Sequence, residues 1–125
     1  MNRRIGRAIA LVAAAACVAG AIAVHSYGAA RSPATTKVTV TATDYRFRLS
    51  VKTVHLGTVV FTVVNKGEVP HNFKMQRLNA VTRLLQAGER GTLRVRFKKP
   101  GRYYYLCTVD NHVLFGMAGY LRVVR

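Results

Sequence analysis

Thr92-Leu93-Arg94-Val95-Arg96-Phe97 places polar and apolar side chains on alternate positions, and a period of two marks a strand with one face turned to a core. Arg46-Phe47-Arg48-Leu49 repeats the pattern, and Val38-Thr39-Val40-Thr41 opens it. In each run the apolar face points inward and the basic or polar face meets water. Thr58 to Val64 is apolar on both parities, which predicts a central strand covered on both sides. Turn signals fall between the runs at Leu56-Gly57, Asn65-Lys66-Gly67, Ala87-Gly88-Glu89 and Lys99-Pro100-Gly101. Their spacing predicts an all-β sandwich or barrel of about seven or eight short strands, with no internal repeat and no amphipathic helix.

The chain has 125 residues, enough for one ordinary domain with one core. Half of its residues are hydrophobic, but the uncharged run from Ala8 to Val24 inflates that share, so the folded part is more polar than the average. A disordered acidic or low-complexity protein is excluded. Lys and Arg number 20 against four acids, a formal charge of +16. Without Arg3, Arg4, Arg7 and Arg31 there remain 16 basic residues and the same four acids, a net +12. That balance suits an acidic or polyanionic partner without choosing among nucleic acid, an anionic membrane and an acidic protein.

The N-terminus narrows the choice. Basic residues at Arg3, Arg4 and Arg7 precede the apolar run, and small residues follow at Gly28-Ala29-Ala30. This order predicts an apolar helix over residues 1–30, either an export signal cut after Ala23 or Ala30 or a retained membrane anchor. Cys17 after Ala14-Ala15-Ala16 only weakly matches a lipoprotein box, and Arg3-Arg4 fits an ordinary basic leader as well as a twin-arginine signal. Either way the remainder is exported, periplasmic or extracytoplasmic, which removes nucleic acid as a partner despite the basic charge and the run Tyr103-Tyr104-Tyr105. Residues 31–37 read as a linker and 38–125 as the folded domain. Of the two cysteines, Cys17 lies in the apolar run, so no disulfide framework holds this fold and Cys107 is a thiol with another task.

That task is legible in His71, Cys107, His112 and Met117. They stand in Pro70-His71-Asn72-Phe73 and in Cys107-Thr108-Val109-Asp110-Asn111-His112-Val113-Leu114-Phe115-Gly116-Met117. One thiolate, two imidazoles and a thioether suit copper, with two nitrogens and a sulfur in a plane and a weak sulfur on the axis. Tyr103, Tyr105 and Cys107 share one face of a strand, so Cys107 ends it at the mouth of the sandwich. The following loop then returns His112 and Met117 to the same point, and His71 must arrive from another strand end. Taken singly, Cys107 would be a small buried hydrophobe, His71 a turn histidine and Met117 a core residue. Their combination argues against each of these. His55 has no partner motif and reads as an exposed strand residue, Met75 as packing, and His25 as part of the leader.

The His-Asn pair and Cys-x4-His-x4-Met resemble the cupredoxins, the family of plastocyanin, azurin and related small blue copper proteins, over roughly Val38 to Val124. The resemblance implies a Greek-key β-sandwich and one type 1 copper ion. His71 and His112 would bind it through ring nitrogens, Cys107 as thiolate and Met117 axially. Asn72 would join the His71 segment to the Cys107 loop from outside the ligand shell. Val113, Leu114 and Phe115 would form an apolar patch beside His112 where a redox partner docks. Lys74, Arg77 and Arg102 are expected around it, steering an acidic redox protein. The function expected is one-electron transfer by a monomer, without a catalytic centre of its own. Copper delivery to a membrane oxidase, or copper homeostasis, is the competing use of the same donors. Membrane association would come through the N-terminus.

Overall fold

The computed structural model describes residues 34–125. The expectations for the leader or anchor, Cys17, His25 and the first part of the linker fall outside these residues. Nine strands form among the described residues: β1 (Thr36–Thr43), β2 (Arg46–Leu49), β3 (Thr53–His55), β4 (Gly57–Asn65), β5 (Lys74–Met75), β6 (Ala80–Val81), β7 (Arg90–Phe97), β8 (Gly101–Leu106) and β9 (Ala118–Val124). A 3₁₀ turn over Gln76–Leu78 separates β5 from β6. The all-β expectation holds. The strand number exceeds it because β5 and β6 are two-residue strands, too short to show a period. β1 begins at Thr36, so the last two residues of the expected linker are strand.

The strands make a four-stranded sheet in the order β2-β1-β4-β7 and a five-stranded sheet in the order β3-β9-β8-β5-β6. β1 and β4 pair in parallel, as do β3 and β9, and the other pairs are antiparallel. Alternation places Val38, Val40, Val59, Phe61, Val63, Leu93, Val95 and Phe97 from one sheet in a single core with Phe73, Met75, Tyr103, Tyr105, Leu121 and Val123. Phe61 and Phe73 meet at 5.3 Å between ring centroids, and Phe73 also packs on Phe47 at 5.2 Å and Tyr105 at 5.3 Å. Tilted and edge-on contacts of this kind add to what burial alone contributes.

The central strand β4 departs from expectation on its outer face. Val59, Phe61 and Val63 are buried, whereas Val60, Thr62 and Val64 are only half-buried. Val60 lies between Lys37 and Arg94 in the ladder, and Val64 between Thr41 and Arg90. Long side chains flanking an apolar position can cover it with their aliphatic stems while their charged ends stay in water. An apolar residue on both parities therefore did not require a second buried layer.

Strand direction defines two ends. β1 and β4 finish together at Thr43 and Asn65, and β7 starts beside them. β8 finishes at Leu106 where β9 starts at Ala118. Ala42 packs against Cys107 and Met117, so the two sheets share this end. At the opposite end lie Thr36, Gly57, Phe97, Gly101 and Val124.

Candidate metal centre

Cys107 follows β8 directly, and its amide donates to the Met117 carbonyl at 3.0 Å, closing the base of the loop. Inside the loop, His112 N–H donates to Val109, Leu114 to Asn111, Phe115 to His112 and Gly116 to Val113, so each step turns tightly on the one before. Gly116 has φ of 97°, in the left-handed region where a side chain would be strained. The turns fold His112 back over Cys107 while Leu114 and Phe115 project outward.

His71 is placed by a separate scaffold. Its amide and carbonyl bond reciprocally with Leu85 at 3.0 and 2.8 Å. Below it, the fully buried Asn65 donates through Nδ2 to the carbonyls of Val69 and Leu85, and its Oδ1 accepts from Gly67 N–H. Asn65 is thus a buried polar clamp whose groups are satisfied, as interior amides require. It fixes the turn leading into His71, a role its place in an Asn-Lys-Gly turn signal did not reveal.

The two scaffolds bring His71 Nδ1 and His112 Nδ1 to 3.2 Å from each other. Cys107 Sγ lies 3.6 Å from His112 Nδ1 and 4.0 Å from His71 Nδ1. All three residues are buried. Ligands sharing one first-row ion, with metal–nitrogen near 2.0 Å and metal–sulfur near 2.3 Å, stand about 3.3–3.8 Å apart. The observed distances of 3.2, 3.6 and 4.0 Å bracket that range, so a small adjustment of the rings about Cys107 would seat the ion. Met117 is fully buried in the small cluster with Ala42 and Cys107. A thiolate, two imidazole nitrogens and a nearby thioether form the donor set that favours copper over the harder ions. His71, Cys107 and His112 would hold the ion, with Met117 adjoining the thiol.

One acid was overlooked in the sequence. Asp44, in the turn between β1 and β2, places Oδ1 at 2.7 Å from His71 Nε2, while its Oδ2 accepts from Glu68 N–H at 2.8 Å. The Glu68 amide first, and the His71 ring after it, hold the Asp44 carboxyl below the usual carboxylate value. An ionised carboxylate only accepts, so Nε2 is the nitrogen that donates to Asp44, and Nδ1 is the nitrogen directed at Cys107 and His112. Gly67 stands against this pair. A Cβ there would occupy the place of the Asp44 carboxylate and come within 3.0 Å of His71 Nε2.

Asn72 turns away from the donors. Its Nδ2 donates to Thr108 Oγ1 at 2.7 Å, and its Oδ1 accepts from Thr108 N–H at 2.8 Å, so one side chain joins the His71 segment to the start of the loop. Burial, and next the neighbouring His71, push His112 below the ordinary imidazole value, which keeps its ring neutral at neutral pH. Of the expected apolar patch, Leu114 is 78% and Phe115 65% exposed, and Val113 is half-buried. Tyr45 completes it, with its ring 4.7 Å from His112 and 5.1 Å from Phe115. Met75 is buried in the main core, and His55 is exposed with Nδ1 at 2.8 Å from the Arg125 carbonyl.

The expected basic surround is corrected in two of its three members. Lys74 pairs with Leu106 and lies near the site. Arg102 pairs with Arg122 at the start of β8, roughly 16 Å from Cys107 at about 3.3 Å per residue. Arg77 lies over the Tyr103 ring, nearer that far end than the metal centre. Neighbouring positions in the sequence did not show which end of β8 each arginine would reach.

Comparison with known proteins agrees with this geometry. Residues 9–118 match the family described as Cupredoxin-like domain. A stretch of 44 residues is 48% identical to auracyanin-B of Chloroflexus aurantiacus, covering 35% of this chain and 19% of that protein's length. A solved auracyanin B structure covers 78% of this chain and 94% of its own, with 26% identity and a TM-score of 0.60. The reduced auracyanin of Roseiflexus castenholzii covers 73% of this chain and 97% of its own, at 21% identity and a TM-score of 0.55, a likeness of fold. A multicopper oxidase matches at 14% identity and a TM-score of 0.60, but over only 46% of its own length. With the family matched over most of its length and a thiol and two imidazoles gathered at one end of its sandwich, the chain belongs to the cupredoxins.

Proposed function

We propose that the chain is a blue copper protein that passes single electrons between extracytoplasmic redox partners. The observation that carries this reading is the convergence of His71 Nδ1, His112 Nδ1 and Cys107 Sγ, buried together and all within 4.8 Å of one another. Bound copper supplies a one-electron couple. The protein's own part is to hold the donors still. Asp44 keeps the proton on His71 Nε2, and Asn72 joins the two segments that carry ligands. The sequential turns of the loop fix His112, and burial excludes water from all three donors. A donor set that does not rearrange lets charge arrive and leave with little reorganisation.

Val113, Leu114, Phe115 and Tyr45 form the apolar rim by which a partner would approach the His112 ring. A transient redox contact needs only a small interface, under about 1,200 Å². An acidic redox protein is the partner that net charge favours, and Arg46, Lys66 and Lys74 lie at this end to meet it. Asp44, Glu68 and Asp110 share the same end, so apolar contact rather than charge would dominate the docked state. The chain is proposed to act as an exported monomer, attached to or released from a membrane according to whether residues 1–30 are retained. Among the described residues no helix is long and apolar enough to cross a membrane.

The test is copper reconstitution of the full chain with a Cys107→Ser control. The expected result is a strong visible thiolate-to-copper band and reversible one-electron cycling in the parent, and neither in the variant. Equal colour in both removes Cys107 from the site. Facile transfer of Cu(I) to a chelator without reversible cycling would assign the chain to copper delivery instead.

A further inference from the structure

All four acids of the sequence lie at the metal end of the sandwich. Asp44 bonds His71, and Glu68 donates its amide to Asp44. Glu89 accepts Asn65 N–H at its carbonyl, and Asp110 stands within the loop from Cys107 to Met117. Arg46, Lys66, Lys74, Arg83 and Arg90 occupy the same end, so charges there nearly balance. The opposite end has no acid. Arg96 pairs with Thr58 near the close of β7, and Lys98, Lys99 and Pro100 continue into the turn before β8. Arg102 and Arg122 pair across β8 and β9, and Arg125 follows β9.

These residues make a built surface. Lys52, Arg102, Tyr120, Arg122 and Arg125 line an open cleft of about 780 Å³, with the Arg102 guanidinium 4.1 Å from the Tyr120 ring centre. Arg77, Arg96, Lys98 and Lys99 line a second groove beside it. Leu56, 37% exposed, adds an apolar tip between β3 and β4. The chain also enters the sandwich here. Ala34 lies close to Gly57, and β1 runs from this end toward the metal centre. The 33 residues before Ala34, including the uncharged apolar run, therefore join the domain at its basic end.

We infer that the basic end opposite the metal centre docks on the headgroups of an anionic phospholipid bilayer. Clustered Lys and Arg near a membrane-directed segment are attracted by a negatively charged leaflet, within a screening length of about 8 Å at physiological salt. Docked this way, the domain holds Leu114, Phe115 and His112 on the side facing water, free to meet a partner. The inference rests on charge and chain direction and stands whether or not copper is bound.

The test is flotation of the full chain with vesicles of phosphatidylcholine alone and of phosphatidylcholine mixed with an equal part of phosphatidylglycerol. Binding to neutral vesicles measures what residues 1–33 do by themselves, and the excess on anionic vesicles reads the charge. Combined Lys98→Gln, Lys99→Gln and Arg102→Gln should lower that excess about a hundredfold, from roughly fivefold for each positive charge removed near the bilayer. A control removing equal charge at the other end, Arg46→Gln with Lys66→Gln and Arg90→Gln, sits roughly 25 Å away along the strands and should change it little. Thermal unfolding of both variants confirms that each is folded. Equal losses in the two variants, or no loss in the first, would overturn the inference.

Discussion

Gly67→Ala is the sharpest test of how the metal centre is held. Gly67 does not have a left-handed φ, so alanine there strains no backbone and acts through its methyl group alone. That Cβ would fall on the Asp44 carboxylate, 2.8 Å from Asp44 Cγ and 3.0 Å from His71 Nε2. The carboxylate must leave, and with it the hydrogen bond that fixes which nitrogen of His71 faces Cys107. Loss of such an outer partner typically costs 10- to 100-fold in metal affinity, so Gly67→Ala is expected to weaken copper binding by about that factor. Asp44→Ala should do the same by a different route, without crowding His71. If both act through one carboxylate, the double variant should be no worse than about 100-fold, whereas independent effects would multiply to as much as about 10⁴-fold. Equilibrium competition against a copper chelator, followed at the thiolate band, measures all four corners of the cycle. Parent-like affinity in Gly67→Ala, or a double variant at the product of the singles, would refute the reasoning.

Three further outcomes are expected. The His112 imidazole is held below its ordinary value near 6.5, so below that pH the unfolded chain binds more protons than the folded one. Metal-free stability from this group is therefore full above the ordinary imidazole value and is lost as pH falls through the lowered folded-state value, and His112→Gln should flatten that decline in thermal unfolding. An unchanged slope would remove His112 as its source. Phe61→Ala empties a fully buried site between Phe73 and Phe97 and should destabilise the fold by about 3–5 kcal/mol in urea titrations, with the thiolate band retained in the folded fraction. Asn72→Ala removes both hydrogen bonds to Thr108 and should cost about 1–3 kcal/mol, whereas Asn72→Asp, which keeps the Thr108 N–H acceptor, should cost less.

The strands were legible wherever one face is buried and the other wet. Leu93, Val95 and Phe97 alternate in burial as they alternate in the sequence, and so do Tyr103, Tyr105 and Cys107. The gathering of His71, Cys107 and His112, with Met117 packed beside the thiol, was legible because these residue types are rare together and three of the four share one loop. Asp44 was not. A lone carboxylate 27 positions before His71 carries no local signal, and only the parallel pairing of β1 with β4 brings their ends together. Tyr45 escaped for the same reason, since its contacts with His112 and Phe115 join segments remote in the chain.

Charge shows the same limit from the other side. Composition fixes a strongly positive domain, and from that alone a basic rim around the docking site was the natural expectation. Chain direction decides otherwise. Asp44, Glu68 and Asp110 collect where the turns 44–45 and 66–69 and the loop 107–117 meet, with Glu89 in the turn before β7, while Arg96, Lys98, Lys99, Arg102, Arg122 and Arg125 lie at the far end. A near-neutral metal end favours brief apolar encounters that separate easily, and a basic far end favours a lasting anionic surface. The sandwich keeps these demands apart by about its full length, so the residues that would anchor the domain need not compete with those that would exchange the electron.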